Sequence, residues 1–312
     1  MVSRLRNIFE TLKETTYEFI DDHATKLSAS LAYYTLFSVG PLLLVVITLL
    51  GYFFKKPYVT THLFDQLGGI IGATGAQQLR TILENISHQN HSTMFGVIGA
   101  IVLVFSATGI FTEIQGSINY LWSVKATPKR SWLKYISDRL LSLLLILGMG
   151  LLMIVSLLVN ILFDVLSGRL HSYLGNSDIV LLQAANFCFL FFVVTLLFWV
   201  IFKVLPDASI HWKDALIGAV FTSILFLVGK SLISYYFGIT IKSVNVYGAA
   251  ASIILLLSWI YYSALIVYFG AEFTDVYARR WGKGVTVSDH AVYIIKREAK
   301  EMPNIKHPVK EN

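Results

Sequence analysis

The chain is dominated by six apolar stretches, each about as long as a membrane-spanning helix. A bilayer core about 30 Å thick requires roughly 20 apolar residues in helical form. The stretches run from Ser28 to Phe54, Phe95 to Phe111, Leu140 to Leu166, Ile179 to Leu205, Ala215 to Tyr236 and Ala249 to Glu272. The second stretch continues as a mixed helix to Trp122. This pattern predicts an all-α fold, an integral membrane bundle of six transmembrane helices.

The N-terminal segment is polar and mixed in charge, but its apolar residues are ordered. They recur near one face of a helix, at Leu5, Ile8, Phe9, Leu12, Phe19 and Ile20. This spacing predicts an amphipathic helix that lies at the membrane interface or packs beneath the bundle. We therefore expect three segments: a cytoplasmic amphipathic helix at 1–27, a six-span domain at 28–276 and a basic cytoplasmic tail at 277–312.

Composition agrees with a location in the membrane. Hydrophobic residues make up 55% of the chain and charged residues only 14%, whereas soluble domains carry about 25% charged residues. The single cysteine, Cys188, lies inside an apolar run and excludes a disulfide within one chain. The formal net charge of +6 is explained by basic cytoplasmic loops, and it gives no reason to expect nucleic-acid binding.

The distribution of basic residues predicts the orientation. With the N-terminus inside, 19 of the 25 Lys and Arg residues fall on cytoplasmic segments. This asymmetry favours cytoplasmic N- and C-termini and therefore an even number of spans. Tryptophans fall at the predicted inner ends of spans, where amphipathic rings prefer the headgroup level. They are Trp122, Trp132, Trp212 and Trp281.

Pro41 lies close to the middle of the first predicted span, with Ser38 one turn before it. A proline ring clashes with the carbonyl four residues earlier and leaves that carbonyl unpaired. Discontinuous helices at this depth bind substrates or ions in many transporters. The alternative is an ordinary proline kink whose free carbonyl is satisfied by a neighbouring helix.

Charged groups in or near the other spans are further candidates for a pathway. Lys230 lies in the outer third of the fifth span, where it either snorkels to the headgroups or faces a cavity. Glu113, Glu272 and Asp275 lie near the predicted inner surface, as a coupling-ion or proton site or as carboxylates at a wet interface. Tyr247 and Gly248 open the sixth span, where glycine permits close approach or a sharp entry.

Motifs for enzymatic chemistry are absent from the sequence. It contains no HExxH, no CxxC, no Walker A sequence and no GxSxG elbow, and its eight histidines are scattered. We therefore expect no catalytic residues, no cofactor, no metal site and no enzymatic activity. The expected partners are the lipid bilayer and a small solute or ion, without nucleic acid; a homo-oligomer stays an open alternative.

The run KLSASLAYYTLFSVGPLLLVVITLLG, from Lys26 to Gly51, resembles the opening span of the YihY/BrkB family of bacterial inner-membrane proteins. Further matches follow in order, at Leu205, Pro206, Trp212, Lys230, Tyr247, Gly248, Gly270, Ala271 and Glu272. The resemblance implies a multi-pass protein of the bacterial inner membrane with six spans and both termini inside. Members have been linked to virulence and serum resistance, and some carried the label ribonuclease BN. A metal-dependent nuclease needs clustered ligands that this sequence lacks.

The sequence thus leaves three hypotheses for function. The first is a transporter or channel-like protein with a path near the kinked first span. The second is a structural or envelope-integrity protein without transport activity. The third, a membrane-associated nuclease, is disfavoured. If the candidate residues line one water-accessible cavity, the transport hypothesis gains support.

Overall fold

The computed structural model describes residues 2–53, 109–127, 176–244, 249–288 and 291–294, together with isolated helical positions between 60 and 148. Six helices account for most of these residues. They are α1 at Val2–Asp21, α2 at Ala24–Phe53, α3 at 109–121, α4 at Asn176–Val204, α5 at Trp212–Val244 and α6 at Ala249–Trp281. The predominantly helical fold predicted from the sequence is confirmed.

Three of the helices contain segments long and apolar enough to cross a membrane. These segments are Phe187–Val204 in α4, Trp212–Ile233 in α5 and Leu256–Trp281 in α6. Because α5 and α6 have 33 residues each and rise about 1.5 Å per residue, each is about 50 Å long and exceeds the bilayer core of about 30 Å. The predicted spans Phe95–Phe111 and Leu140–Leu166 lie mostly outside the described residues, so the count of six stays a prediction.

A short turn at Asp22 and His23 separates α1 from α2. His23 has a φ of 52°, in the left-handed region, and its carbonyl accepts the Lys26 N–H at 2.8 Å. The turn therefore lies inside the segment 1–27, and α2 begins before the predicted first span does. The backbone of α2 is then helical without interruption from Ala24 to Phe53.

Helix α1 turns its polar side toward the bundle and much of its apolar side outward. It packs along α6 with Thr11 and Thr15 buried and Glu14 and Glu18 half-buried. Its exposed large side chains are Ile8, Phe9, Tyr17 and Ile20. A water-soluble amphipathic helix would show the opposite arrangement, so this one suits a helix whose outer face contacts lipid.

Helices α5 and α6 pack antiparallel, and in two places a glycine of one helix faces a threonine of the other. A Cβ on Gly218 would lie 1.9 Å from Thr274 Oγ1, and a Cβ on Gly270 would lie 2.0 Å from Thr222 Oγ1. Each threonine donates its hydroxyl to the glycine carbonyl one turn earlier, at 2.7 Å for Thr222 and 2.6 Å for Thr274. The glycines thus let the two backbones approach closely, as small residues do between membrane helices.

Four short strands were not predicted by the all-α interpretation. Strand β1 at Val124–Ala126 pairs antiparallel with β4 at Ala291–Tyr293, and β2 at Ala208–Ser209 pairs antiparallel with β3 at Thr286–Val287. Strands of two or three residues carry no readable alternation, which is why the sequence gives no sign of them. They bind two interhelical connections to the segment that was predicted to be a tail.

The position of Trp122 corrects the prediction that this residue lies at the headgroup level. Trp122 is only 3% exposed, and its Nε1 donates to the carbonyl of Ala271 at 3.0 Å. Its ring therefore packs inside the protein and does not lie at the headgroup level. In contrast, Trp212 and Trp281 are about half exposed, as expected for rings at a membrane interface.

Candidate functional site

One face of α6 carries polar and charged side chains over its last three turns. Tyr268, Glu272, Asp275 and Arg279 follow each other at spacings of three and four residues, so they lie on one side of the helix. Tyr268 and Glu272 are fully buried, and Asp275 is 8% exposed. Buried carboxylates are costly unless they are paired or bind a cation, so this face is a candidate site.

Helix α1 adds a third carboxylate to this face. Oxygen atoms of Glu18, Glu272 and Asp275 all lie within 4.8 Å of one another. Arg279 counters part of the charge, because it forms ion pairs with Glu18 and, at 3.2 Å, with Asp275. Carboxylate oxygens are the ligands that hard cations such as Ca²⁺ and Mg²⁺ take in proteins. The arrangement can therefore attract a cation, but it also serves as an ion-pair network.

Two of the three carboxylates, Glu18 and Asp275, border a cleft of about 340 Å³ between α1, the end of α3 and the end of α6. The charged side chains that line the cleft are Glu18, Asp21, Asp22, Asp275 and Arg279. Four of these five groups are carboxylates, so the cleft presents a negative potential to solvent. The pathway candidates whose side chains the structure describes, namely Ser38, Glu113, Lys230 and Glu272, do not line it.

A second part of the site lies between α2 and α3. Ser30 Oγ donates to Glu113 Oε1 at 2.6 Å. About two turns farther along α2, the buried hydroxyl of Ser38 faces Gly109, where a Cβ would lie 3.6 Å from Ser38 Oγ. The structure thus brings together two of the predicted candidates, Ser38 and Glu113, along one helix interface.

Tyr268 connects the two parts. Its buried hydroxyl lies beside Ser117 of α3 and close enough to Glu113 to interact with that carboxylate electrostatically. One turn later on α6 stands Glu272. We call the combined set the acidic seam; it consists of Glu18, Ser30, Ser38, Glu113, Tyr268, Glu272 and Asp275. It runs from the cleft inward between α2, α3 and α6.

Hydrogen bonds to Asp207 fix the position of α3, and therefore of Glu113. Asp207 lies in the connection between α4 and α5, and its Oδ2 accepts Gln115 Nε2 at 3.2 Å and Asn119 Nδ2 at 2.8 Å. Its backbone N–H donates to Asn119 Oδ1 at 2.8 Å. The reciprocal pair holds the C-terminal end of α3 against a second helical connection, and thereby orients the seam.

Lys230, another predicted candidate, does not join the seam. Lys230 is half-buried on α5, and its neighbour Gly229 faces Tyr262 and Ile266 of α6. Since these residues precede Glu272 by six to ten positions, Lys230 lies about 9–15 Å from the level of Glu272 along the helix axis. The seam and the lysine are therefore separate features.

For Pro41 the sequence left two alternatives open, a broken span and an ordinary proline kink. Helix α2 continues through Pro41 as one element, rather than as the two half-helices that a broken span would give. Tyr247 and Gly248 lie outside the described residues.

Sequence reasoning missed three contributors to the seam, namely Glu18, Ser30 and Tyr268. Glu18 was counted only as the polar side of an amphipathic helix, and a lone tyrosine or serine in a span carries no signal of its own. One signal was available for the acidic members. Glu10, Glu14 and Glu18 recur every fourth residue along α1, and Asp22 continues this spacing into the turn after it. A lone interfacial helix would not need such a stripe of carboxylates.

Comparison with known proteins places the whole arrangement in a family. A family model described as virulence factor BrkB matches residues 15–292. The chain belongs to the BrkB family. The matched region begins within α1 and ends in β4, so the family match includes every residue of the acidic seam and all of the two small sheets except Tyr293.

Curated relatives share between a quarter and a third of their residues with this BrkB family chain. The ribonuclease-like protein YfkH of Bacillus subtilis is 28% identical over 86% of this chain and 95% of its own length. A UPF0761 membrane protein of Tolumonas auensis is 30% identical, over 81% of this chain and 80% of its own. One from Pseudomonas aeruginosa is 29% identical, over 82% of this chain but only 59% of its own.

No solved structure matches the chain. The relatives from Tolumonas auensis and Pseudomonas aeruginosa are named as membrane proteins, and together with the apolar helices they establish that this chain is a membrane protein.

Proposed function

We propose that the chain is a multi-pass protein of the bacterial inner membrane that moves a small cation across it, as a transporter or a channel. In this proposal both termini are cytoplasmic and the cleft opens to the cytoplasm. The observation that carries it is the acidic seam, which holds four carboxylates between helices. Ionisable residues within membrane bundles are expensive, and they typically mark pathways for ions or protons.

The sign of the charge supports a cation as the solute. Glu18, Glu113, Glu272 and Asp275 line the seam, and Arg279 is the cation that pairs with two of them at the cleft. Farther in, Glu113 meets hydroxyl groups, from Ser30 directly and from Tyr268 nearby. An anion would meet unfavourable charge along this route, whereas hydroxyl and carboxylate oxygens can replace part of a cation's hydration shell.

The experiment is a flux measurement on the full chain in vesicles of phosphatidylglycerol and phosphatidylethanolamine. A trapped pH-sensitive dye reports protons, and radiolabelled sodium and rubidium report monovalent ions. We expect Glu113→Gln to lower flux by about tenfold or more, because a lost contact worth about 1.4 kcal/mol corresponds to a factor of ten. Wild-type flux no greater than that of protein-free vesicles, for all three ions, would refute cation transport.

Two control variants test whether a loss of flux is specific to the seam. Glu10→Gln makes the same chemical change on α1 outside the seam, and Lys230→Met removes the charge that lies apart from it. Both variants should retain wild-type flux. A loss in Lys230→Met equal to that in Glu113→Gln would move the pathway away from the seam.

A structural or envelope-integrity role is the second candidate, favoured by the ion pairs themselves. Arg279 pairs with Glu18 and Arg280 with Glu14, so the acidic groups also fasten α1 to α6. If the seam serves only this purpose, Glu113→Gln leaves flux at background and changes nothing but the unfolding temperature.

A further inference from the structure

An apolar groove of about 500 Å³ runs between α1, α5 and α6, on the side of α6 opposite to the acidic seam. Its walls are aliphatic and aromatic, with Ile8 from α1, Val220 and Ile224 from α5, and Phe273 from α6. Polar groups are confined to a few positions, among them Thr11. The groove shares no residue with the seam, so an inference from it does not depend on cation transport.

The position of the groove shows whether lipid or water surrounds it. Its α5 wall, from Ile217 to Ile224, lies entirely within the apolar segment Trp212–Ile233. Residue Ile224 is also half exposed on the surface of that segment. A groove open at this depth is bathed in lipid chains rather than water, and its volume falls within the range of about 300–1,000 Å³ that small-ligand sites occupy.

A cation stands at the end of the groove nearest the membrane surface. Lys213 precedes Ile217 by four residues on α5, so both lie on the same face of the helix. Lys213 is exposed, and its Nζ lies 5.4 Å from the centre of the Trp212 ring. It forms no ion pair with any residue in the described part of the chain. An amphipathic ring and a free ammonium group are typical of a headgroup contact.

The nearby carboxylates already have partners. Glu14 pairs with Arg280, and the buried Asp214 accepts the backbone N–H of Lys283 at 3.2 Å. Lys213 therefore remains as an exposed ammonium group at the mouth of the groove, where it complements an anionic headgroup.

We propose that this groove binds one acyl chain of an anionic phospholipid, whose headgroup contacts Lys213. The lipid acts as a wedge behind α1 and completes the packing of that helix against α5 and α6. Since α1 also supplies Glu18 to the seam, the bound lipid holds one of the seam's carboxylates in place.

Native mass spectrometry of the full chain, purified in mild detergent with added phosphatidylglycerol, tests the proposal. We expect the wild type to retain one lipid per chain after delipidating washes. Val220→Trp fills the groove and should lower retention at least about tenfold, the equivalent of displacing two methylene groups. The matched control is Val228→Trp, the same change at a position on α5 that is 54% exposed and outside the groove; it should retain the lipid.

A second pair of variants covers a failure of Val220→Trp to fold. Ile8→Glu places a carboxylate at the groove on an exposed position, and Phe9→Glu places one on the outward face of α1 next to it. Only the former should lose the lipid. Lys213→Glu should reduce the preference for phosphatidylglycerol over phosphatidylcholine with the same chains by about fivefold or more, since one basic residue contributes about 1 kcal/mol near an anionic surface.

Three results would overturn the proposal. The first is a wild type that retains no lipid. The second is an equal loss of lipid in Val220→Trp and Val228→Trp, which would indicate only annular lipid. The third is a dimer that Val220→Trp abolishes, which would indicate that a second copy of the chain occupies the groove. Equal retention of phosphatidylcholine and phosphatidylglycerol would remove the role of Lys213.

Discussion

The two sides of α6 differ in packing density and in charge. Toward α5, Gly270 and Thr274 meet Thr222 and Gly218, and the backbones approach so closely that a Cβ at either glycine would overlap a threonine. Toward α1, α2 and α3, the same helix presents Tyr268, Glu272, Asp275 and Arg279. One side is dry and closely packed, whereas the other is charged and adjoins a cleft.

This contrast separates the side of α6 that stabilises the bundle from the side that we assign to its function. Close packing between α5 and α6 stabilises through dispersion contacts, because lipid chains offer no hydrophobic incentive for helices to associate. A buried ion pair contributes little net stability, and the whole pair can often be replaced by neutral groups without loss. We therefore expect substitutions on the α5 side to cost stability, and substitutions on the acidic side to cost function.

The largest effect is expected at the glycines. Gly218→Ala places a Cβ 1.9 Å from Thr274 Oγ1, so the helices must move apart at a cost of about 3 kcal/mol. The control is Gly116→Ala on α3, where a Cβ meets nothing within 4 Å; helix propensity predicts unchanged or slightly higher stability there. Thermal unfolding in detergent measures both.

A rescue experiment tests the cause of that loss. Combining Gly218→Ala with Thr274→Gly moves the side chain from one helix to the other and should recover part of the stability, as a coupled pair does in a double-mutant cycle. Additive losses in the double variant would contradict a direct clash between these positions.

A smaller effect is expected where α1 is fastened to the acidic side. Arg279→Met leaves Glu18 and Asp275 without their shared cation, at a cost of about 1–2 kcal/mol because the pair is partly exposed. Arg280→Met removes only the contact with Glu14 and should cost about 0.2–1 kcal/mol. Proteolysis of α1 in detergent would follow the same order, and equal sensitivity of the two variants would contradict the special position of Arg279.

The smallest effect on stability is expected at the centre of the acidic side. Glu272→Gln keeps the shape of a fully buried side chain while removing its charge, so the unfolding temperature should stay the same or rise. The same variant should lose most of the cation flux. A variant that unfolds several degrees earlier yet conducts normally would reverse the assignment of the two sides.

The sequence predicted one of these sides better than the other. Gly218 and Thr222 stand at helical spacing within one apolar run, so a small-residue contact can be read locally. The acidic seam draws Glu18, Glu113 and Glu272 from three helices that are distant along the chain. No local pattern encodes such a meeting, and each carboxylate alone resembles an ordinary residue at a wet interface.

The helices themselves were predictable because their apolar runs are long. Most ends of α4, α5 and α6 fall within a few residues of the predicted spans. The exceptions are two C-terminal ends: α5 continues past Tyr236 to Val244, and α6 continues past Glu272 to Trp281. Its last turns are polar, and hydropathy ends a span where the apolar run ends. The strands at 286–287 and 291–293 form only by pairing with distant connections, which no periodicity within the tail could reveal.

The fastening of α1 also sets an order of events during biosynthesis. The ribosome makes Glu18 and Glu14 long before their partners, since Arg279 and Arg280 follow them by 261 and 266 residues. Until α6 has emerged and entered the bilayer, Glu18 and Glu14 lack Arg279 and Arg280, so these ion pairs cannot yet hold α1 in place. The fastening of the first helix is thus a late step of assembly, and a chain that stops short of Arg279 cannot complete it.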